Sequence, residues 1–404
     1  MLKSVFKIIS FYDDVRWHSA SNYNLINYYK TNLTEDTKLL THWLCYIADR
    51  QMAFEKIWDV GGFIFSELVD TITKEKDLDL LNPNSSRAFI VKKGDGYTFT
   101  SISKSNGNDI LKRYDIKDTE VATFSSRYYP SDYFSILYTL DFLKNYDFSI
   151  GKFICECYKQ HQNREDYITR ILFSLYLITY HEIGQPTKSD LVDFRKNVSK
   201  AEKHTKKVIA ILNSVEKFEA EYHTFCKDKK FLQKRAWCSL RDFIKSPEFK
   251  EHFKISLKKH GLLDKDIERL LSLKSLQQFE LPGDVWNNNS RFRQCILKGT
   301  EYENSKVGLN KILRKYFNDN QTEMDGYYPE QFDITFDFVP RMCDKNNCDI
   351  CPIGYVKGIK TNIFKKTCVK NTELYCSVAL ADCNYKIDCF GKDCKLIEIV
   401  QPMR

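Results

Sequence analysis

The sequence predicts a mostly α protein: a multi-helix body with a small β-hairpin insertion and a cysteine-rich, metal-binding C-terminal segment. Three observations carry this expectation. Glycine (15) and proline (9) are scarce in 404 residues, so helix breakers are few. Apolar residues recur at helical spacing through most of the chain, and alternation with a strong turn signal occurs in one short stretch. Eight of the 14 cysteines fall in the last 62 residues, Cys343 to Arg404.

Residues 1–80 read as an N-terminal helical part. Leu40, Trp43, Leu44 and Ile47 repeat at helical spacing, and a second apolar set runs from Phe54 through Ile57, Trp58, Phe63 and Phe65 to Leu68. Gly61-Gly62 marks a break or a close packing point. Residues 81–130 read as irregular, opening on the loop Asn82-Pro83-Asn84-Ser85-Ser86. Within them Ala88–Val91 and Tyr97–Ile102 flank Asp95-Gly96, a hairpin turn signal because glycine supplies the positive φ such a turn needs.

Residues 131–340 read as a helical body. Helices are expected over Tyr133–Leu143, Ile150–Gln160 and Asp166–Tyr180. Gly184-Gln185-Pro186-Thr187 then breaks the pattern, with Ser189 or Asp190 as the next cap. Two or three long basic helices should fill residues 190 to 275, followed by helices over Ser290–Leu297 and Lys306–Phe317. Residues 341–404 form the cysteine-rich segment.

Composition is that of a globular chain, 43% hydrophobic and 29% charged, so disorder is not the expected class. Net charge is +8, and it is concentrated: residues 198–263 hold sixteen Lys or Arg against eight Asp or Glu. A local surplus equal to that of the whole chain attracts polyanions, of which nucleic acid is the commonest; a solvated helical face is the plainer alternative. The first residues lack a secretory h-region, and the longest apolar run, Ile171 to Tyr180, is too short for a membrane span. A cytoplasmic protein without membrane contact is therefore expected. In that reducing compartment clustered cysteines are metal ligands more often than disulfides.

The core of the cluster is Cys343, Cys348 and Cys351, with Pro352 following, in a C-x4-C-x2-C-P arrangement. Two thiolates separated by two residues turn toward one ion, which is why this spacing recurs in zinc and iron–sulfur sites. Cys368 is the nearest candidate for a fourth ligand. Cys376, Cys383, Cys389 and Cys394 are a second site, spare thiols, or free cysteines packed as small hydrophobes. Thiolate ligation suits both a 4Fe-4S cluster and zinc. With no histidine beyond His260, the centre has a structural character.

The run Phe332 to Cys343, with Arg341 just before the cysteine motif, resembles the C-terminal end of the helix–hairpin–helix DNA glycosylases of the endonuclease III and MutY type. Two further patches are similar in the same order: Ile47-Ala48-Asp49-Arg50-Gln51 resembles the early helix whose glutamine enters the duplex, and Leu281-Pro282-Gly283 resembles the start of the phosphate-gripping hairpin. The resemblance implies DNA contacts at Gln51, Arg50 and Gly283, and a catalytic carboxylate among Asp284, Glu301, Glu303 and Asp325. It departs from the family in lacking the second hairpin glycine, since Asp284-Val285-Trp286 follows Gly283, and in the cysteine spacing. Base removal would need a wedge for the flipped base and a carboxylate to stabilise charge on the sugar or to activate water. Each named acid also reads as an ordinary surface carboxylate, and Gln51 as a polar residue at a helix turn.

No P-loop, dinucleotide-binding, zinc-protease or nucleophile-elbow motif is present, and the eight histidines lack ligand spacing. Two functions follow. One is a DNA-acting enzyme, a glycosylase-like protein removing a modified or damaged base in repair or antiviral defence, with a structural metal centre. The other is a non-enzymatic zinc-binding factor that binds nucleic acid or protein.

Overall fold

A computed structural model describes residues 2–20, 33–48, 60–74, 90–93, 96–99, 130–179, 194–228, 234–278, 290–334 and 353. These residues are mostly helical. Along the chain come α1 (Leu2–Ala20), α2 (Glu35–Ile47), α3 (Gly62–Lys74), strands β1 (Ile90–Lys93) and β2 (Gly96–Phe99), α4 (Pro130–Leu143), α5 (Ile150–His161) and α6 (Tyr167–Ile178). They continue with α7 (Phe194–Leu212), α8 (Val215–Asp228), α9 (Lys234–Lys245), α10 (Pro247–Lys259), α11 (Asp264–Leu270) and α12 (Leu273–Leu276). Last come α13 (Ser290–Leu297), α14 (Leu309–Asp319) and a 3₁₀ turn over Pro329–Ile334. The two strands pair antiparallel, Ile90 opposite Phe99 and Lys93 opposite Gly96.

Contacts divide the chain into two units. The first comprises Met1–Tyr23, Lys245–Pro247 and Leu271–Arg404; the second comprises Asn24–Ile244 and Glu248–Leu270.

In the first unit α1 buries Leu2, Val5, Phe6, Ile8 and Ile9, a stripe at helical spacing. It packs on the 3₁₀ turn, where the Phe332 ring meets Phe6 edge-on at 4.7 Å, and Gln331 Nε2 donates to Ser10 Oγ at 2.8 Å. Asp13, also buried, receives the Lys245 ammonium, which in turn lies over the Tyr328 ring at 5.0 Å. From α13 and α14 come Phe292, Ile296, Ile312 and Leu313.

The second unit is a helical body in which α2 packs on α3, α4 and α5, α4 on α7, α5 on α6, and α7 on α6 and α8. Local chemistry explains the starts of these helices. Thr34 caps α2 by accepting the Thr37 N–H, and Glu35 and Asp36 fill the first turn, where the helix dipole favours anions. Ser149 caps α5 by accepting the Lys152 N–H at 2.9 Å.

Two or three long helices were expected over residues 190 to 275; the described residues of this stretch form six shorter ones. The breaks are local. Ser246-Pro247 ends α9 and starts α10, because proline at a first helical position loses no intrahelical bond. Gly261, at φ +82°, ends α10: its N–H bonds Lys258 O at 3.0 Å and the Leu262 N–H bonds Leu257 O at 3.0 Å. That pair of bonds satisfies the last carbonyls and requires a left-handed residue at Gly261. Among the described residues no helix is long and apolar enough to cross a membrane.

Candidate functional site

The residues singled out in the sequence fall into two groups. Arg50, Gln51, Gly283, Asp284 and the ligand candidates Cys343, Cys348, Cys351 and Cys368 lie outside the described residues, as do the later cysteines. Glu301, Glu303 and Asp325 are described, all in the first unit, and all are exposed.

Glu301 and Glu303 share one turn. After α13 ends, Gly299 takes φ +70°, and its N–H donates to Glu303 Oε2 at 2.9 Å, so that carboxylate ties the turn. Glu301 accepts a hydrogen bond from Tyr302, which together with burial and nearby carboxylates raises the Tyr302 hydroxyl to about 12. The Lys315 ammonium lies over the Tyr302 ring at 5.9 Å. Asp325 is on a separate turn beside Gly326, which has φ +85°. In these positions the three carboxylates face solvent, where charge on a substrate sugar is already screened by water.

The second unit contains two buried polar clusters that sequence spacing does not reveal. In the first, Asp36 sits where the N-termini of α2 and α5 meet the C-terminus of α10. Its Oδ1 accepts from Ser149 Oγ at 2.6 Å and Ser256 Oγ at 2.5 Å, and its Oδ2 accepts from Lys259 Nζ at 2.7 Å. His260 Nε2 lies 3.1 Å from Oδ1 and donates to it, since an ionised carboxylate only accepts. Burial by itself would raise the Asp36 carboxyl. Hydrogen bonds from Lys259, Ser149 and Ser256, with the field of His260, outweigh it and hold the group at about 2. A serine, a histidine and an aspartate thus converge, but not as an acyl-transfer triad. Both serines are buried and donate to the carboxylate itself, and Ser149 is already engaged as a helix cap.

The second cluster joins α2 to α9. Asp242 accepts from His42 Nε2 at 3.1 Å and from the Tyr46 hydroxyl on one oxygen, and from Arg241 Nε and Nη2 at 2.9 and 2.8 Å on the other. All four residues are buried. Burial pushes the Asp242 carboxyl up, but the Arg241 charge and the bonds from His42 and Tyr46 hold it below the usual carboxylate range. Burial pushes His42 the other way, below its ordinary value and against the pull of Asp242. His42 is therefore neutral at pH 7, with its proton on Nε2, and its ring lies 3.8 Å from that of Phe249. The guanidinium of Arg241 also stacks on Trp237 at 5.1 Å. The four side chains are buried together, so the network specifies how α2 and α9 pack.

Among the described residues no three His, Cys, Asp or Glu side chains are placed to hold a metal ion. Six cysteines are described, and none of them is in a disulfide. Burial raises the Cys45 thiol well above its ordinary value and Cys157 to about 12, which leaves both protonated and unreactive.

The charge surplus of residues 198–263 has a physical outlet. Where its cations are buried they are neutralised: Arg241 by Asp242, and Lys245 by Asp13. Lys203, Lys206, Lys207, Lys217, Lys227, Lys250 and Lys254 are exposed. Comparison with protein-family models finds no match, and comparisons with curated proteins and with solved structures also find none.

Proposed function

We propose that the protein binds DNA, and that its C-terminal segment holds a structural metal centre through Cys343, Cys348, Cys351 and Cys368. The observation that carries the DNA reading is the distribution of charge. Among the described residues the buried Arg241 and Lys245 are paired with Asp242 and Asp13, whereas Lys203, Lys206, Lys207, Lys217, Lys227, Lys250 and Lys254 are exposed on helical faces, where they meet solvent and polyanions. For the metal, the support is the donor set. Three cysteines in a C-x4-C-x2-C arrangement supply soft thiolates suited to a 4Fe-4S cluster or to zinc. Either would cross-link the segment between Cys343 and Cys368. A cytoplasmic setting fits thiolates that must stay reduced.

Base removal is the second reading, favoured by the order of three patches, Ile47–Gln51, Leu281–Gly283 and Phe332–Cys343. In it Gln51 fills the gap left by the flipped base, Arg50 and Gly283 hold the backbone, and one of Asp284, Glu301, Glu303 and Asp325 assists departure of the base. A zinc-binding factor without catalysis needs none of these acids.

One preparation tests all three parts. Protein purified without oxygen is analysed for iron, sulfide and zinc, titrated with labelled DNA duplex, and incubated with duplexes bearing damaged bases, followed by alkaline cleavage. Bound duplex and stoichiometric metal support the proposal. Strand cleavage at the modified base adds the enzymatic reading; binding without cleavage on every substrate removes it. Metal-free protein that folds normally would overturn the metal centre.

A further inference from the structure

We infer that α7 is the surface that receives the DNA, through the phosphate backbone of a duplex and without reading its sequence. The inference rests on the DNA reading above and assigns it a face. One side of α7 is fixed to the body of the second unit. Val208, Ile211 and Leu212 are buried, His204 Nε2 donates to Leu177 O at 3.0 Å, and Thr205 Oγ1 donates to Asp141 at 2.5 Å. The other side presents Lys203, Lys206 and Lys207, all exposed. At about 100° per residue these three fall within an arc of about 100°, with the small Ala210 in the same arc.

Of the helices from α7 to α10, α7 has the largest excess of positive charge. α7 carries six Lys or Arg and a single acid, Glu202. Among the described residues no carboxylate pairs with Lys203, Lys206 or Lys207, whereas Lys258 pairs with Asp264 and Lys259 with Asp36. The chemistry of the helix narrows the partner. A membrane-surface helix must offer an apolar face to lipid, and that of α7 is already covered by α4, α6 and α8. A single-strand binder needs aromatic rings on which bases stack, and α7 has no Phe, Tyr or Trp after Phe194. Lysine point charges on a rigid rod, with no stacking group and no bidentate fork, suit backbone phosphates.

The test uses the full-length protein and two triple variants. One is Lys203→Gln with Lys206→Gln and Lys207→Gln; the other, Lys217→Gln with Lys250→Gln and Lys254→Gln, removes the same charge from α8 and α10. All six positions are exposed, and glutamine matches lysine in helix propensity, so both should melt as the parent does. Binding of a mixed-sequence DNA duplex is measured across a salt titration. Each phosphate neutralised contributes about 0.9 to the slope of log affinity against log salt, so the α7 variant should lose roughly 2.7 in slope. The α8/α10 variant should lose much less. Equal losses in the two variants, or an α7 variant that binds as the parent does, would overturn the α7 assignment while leaving DNA binding intact. Parent protein that ignores duplex DNA at low salt would overturn both readings. Tighter binding of an RNA duplex, a DNA single strand or polyglutamate would reassign the face to that partner and overturn the inference.

Discussion

Asp36 and Asp242 each collect donors from helices far apart in the chain, and each is held ionised inside the protein by them. Removing one partner of such a cluster costs more than the cluster contributes, because the remaining charge stays buried and unpaired. Asp242→Ala removes the carboxylate that faces the buried Arg241 guanidinium, 2% exposed, and should destabilise the protein by about 3–5 kcal/mol, measured by urea unfolding. Asp36 yields a pH dependence. Its carboxyl is held at about 2 when folded against an ordinary 3.8, so its contribution is complete above pH 3.8 and is lost as pH falls through 2. The shift corresponds to about 2 kcal/mol, and Asp36→Asn should flatten that part of the acid limb. Neither cluster is legible in the sequence. His42 and Asp242 are 200 positions apart and His260 and Asp36 are 224 apart, so local ligand spacing says nothing of either pair. What the sequence does offer at this scale is the absence of ligand spacing around the histidines, and the partners of His42 and His260 in the fold are carboxylates.

Helices are where local sequence speaks most directly. Ser290–Leu297 is found over the residues its apolar spacing indicates, and the helices expected over Tyr133–Leu143 and Ile150–Gln160 extend by three residues at one start and one at the other end. Their boundaries are set by caps, breakers and apolar periodicity within a few residues of each end. The stretch from 190 to 275 was harder because its polar faces run on through Asn213-Ser214 and Gly261, where only backbone geometry shows the stops. That geometry makes Gly261→Ala costly: a side chain at φ +82° is strained, and the helix end loses its fit, for about 1–2 kcal/mol in thermal or chemical unfolding. Gly151→Ala should cost more than Gly261→Ala in the same measurement. A Cβ there would lie 2.0 Å from Ser256 Oγ and 3.0 Å from its Cβ, so α5 and α10 would have to separate at the hydroxyl that holds Asp36. As an observable, Gly151→Ala should also weaken the acid response assigned to Asp36.

For the molecule as a whole, acid is the revealing variable. His42 and His161 are both pushed below their ordinary 6.5 by burial, His161 to about 4 with Arg170 opposing its charge further. Their folded forms bind fewer protons than the unfolded chain does below pH 6.5. Stability is therefore complete above pH 6.5 and declines as pH falls toward their folded values. His161 packs its ring on Phe218 at 4.5 Å and its Nε2 is buried with no partner. His161→Phe should keep that packing and remove part of the decline between pH 6.5 and 4, read from unfolding free energies across that range. The charge surplus that suggests a polyanion was legible from composition alone. Which helix face carries it was not, because that depends on which lysines the body neutralises.

The packing of α1 on the 3₁₀ turn has a consequence for synthesis. Ser10 and Gln331 are 321 positions apart, so α1 emerges from the ribosome long before its partner exists. At about 5–20 residues per second the wait is from about a quarter of a minute to about a minute. Throughout it the stripe of Val5, Phe6, Ile8 and Ile9 has no Phe332 to cover it. A nascent chain in that state exposes this stripe to holding chaperones, and a ribosome stalled anywhere before Phe332 would present it for as long as it stalls.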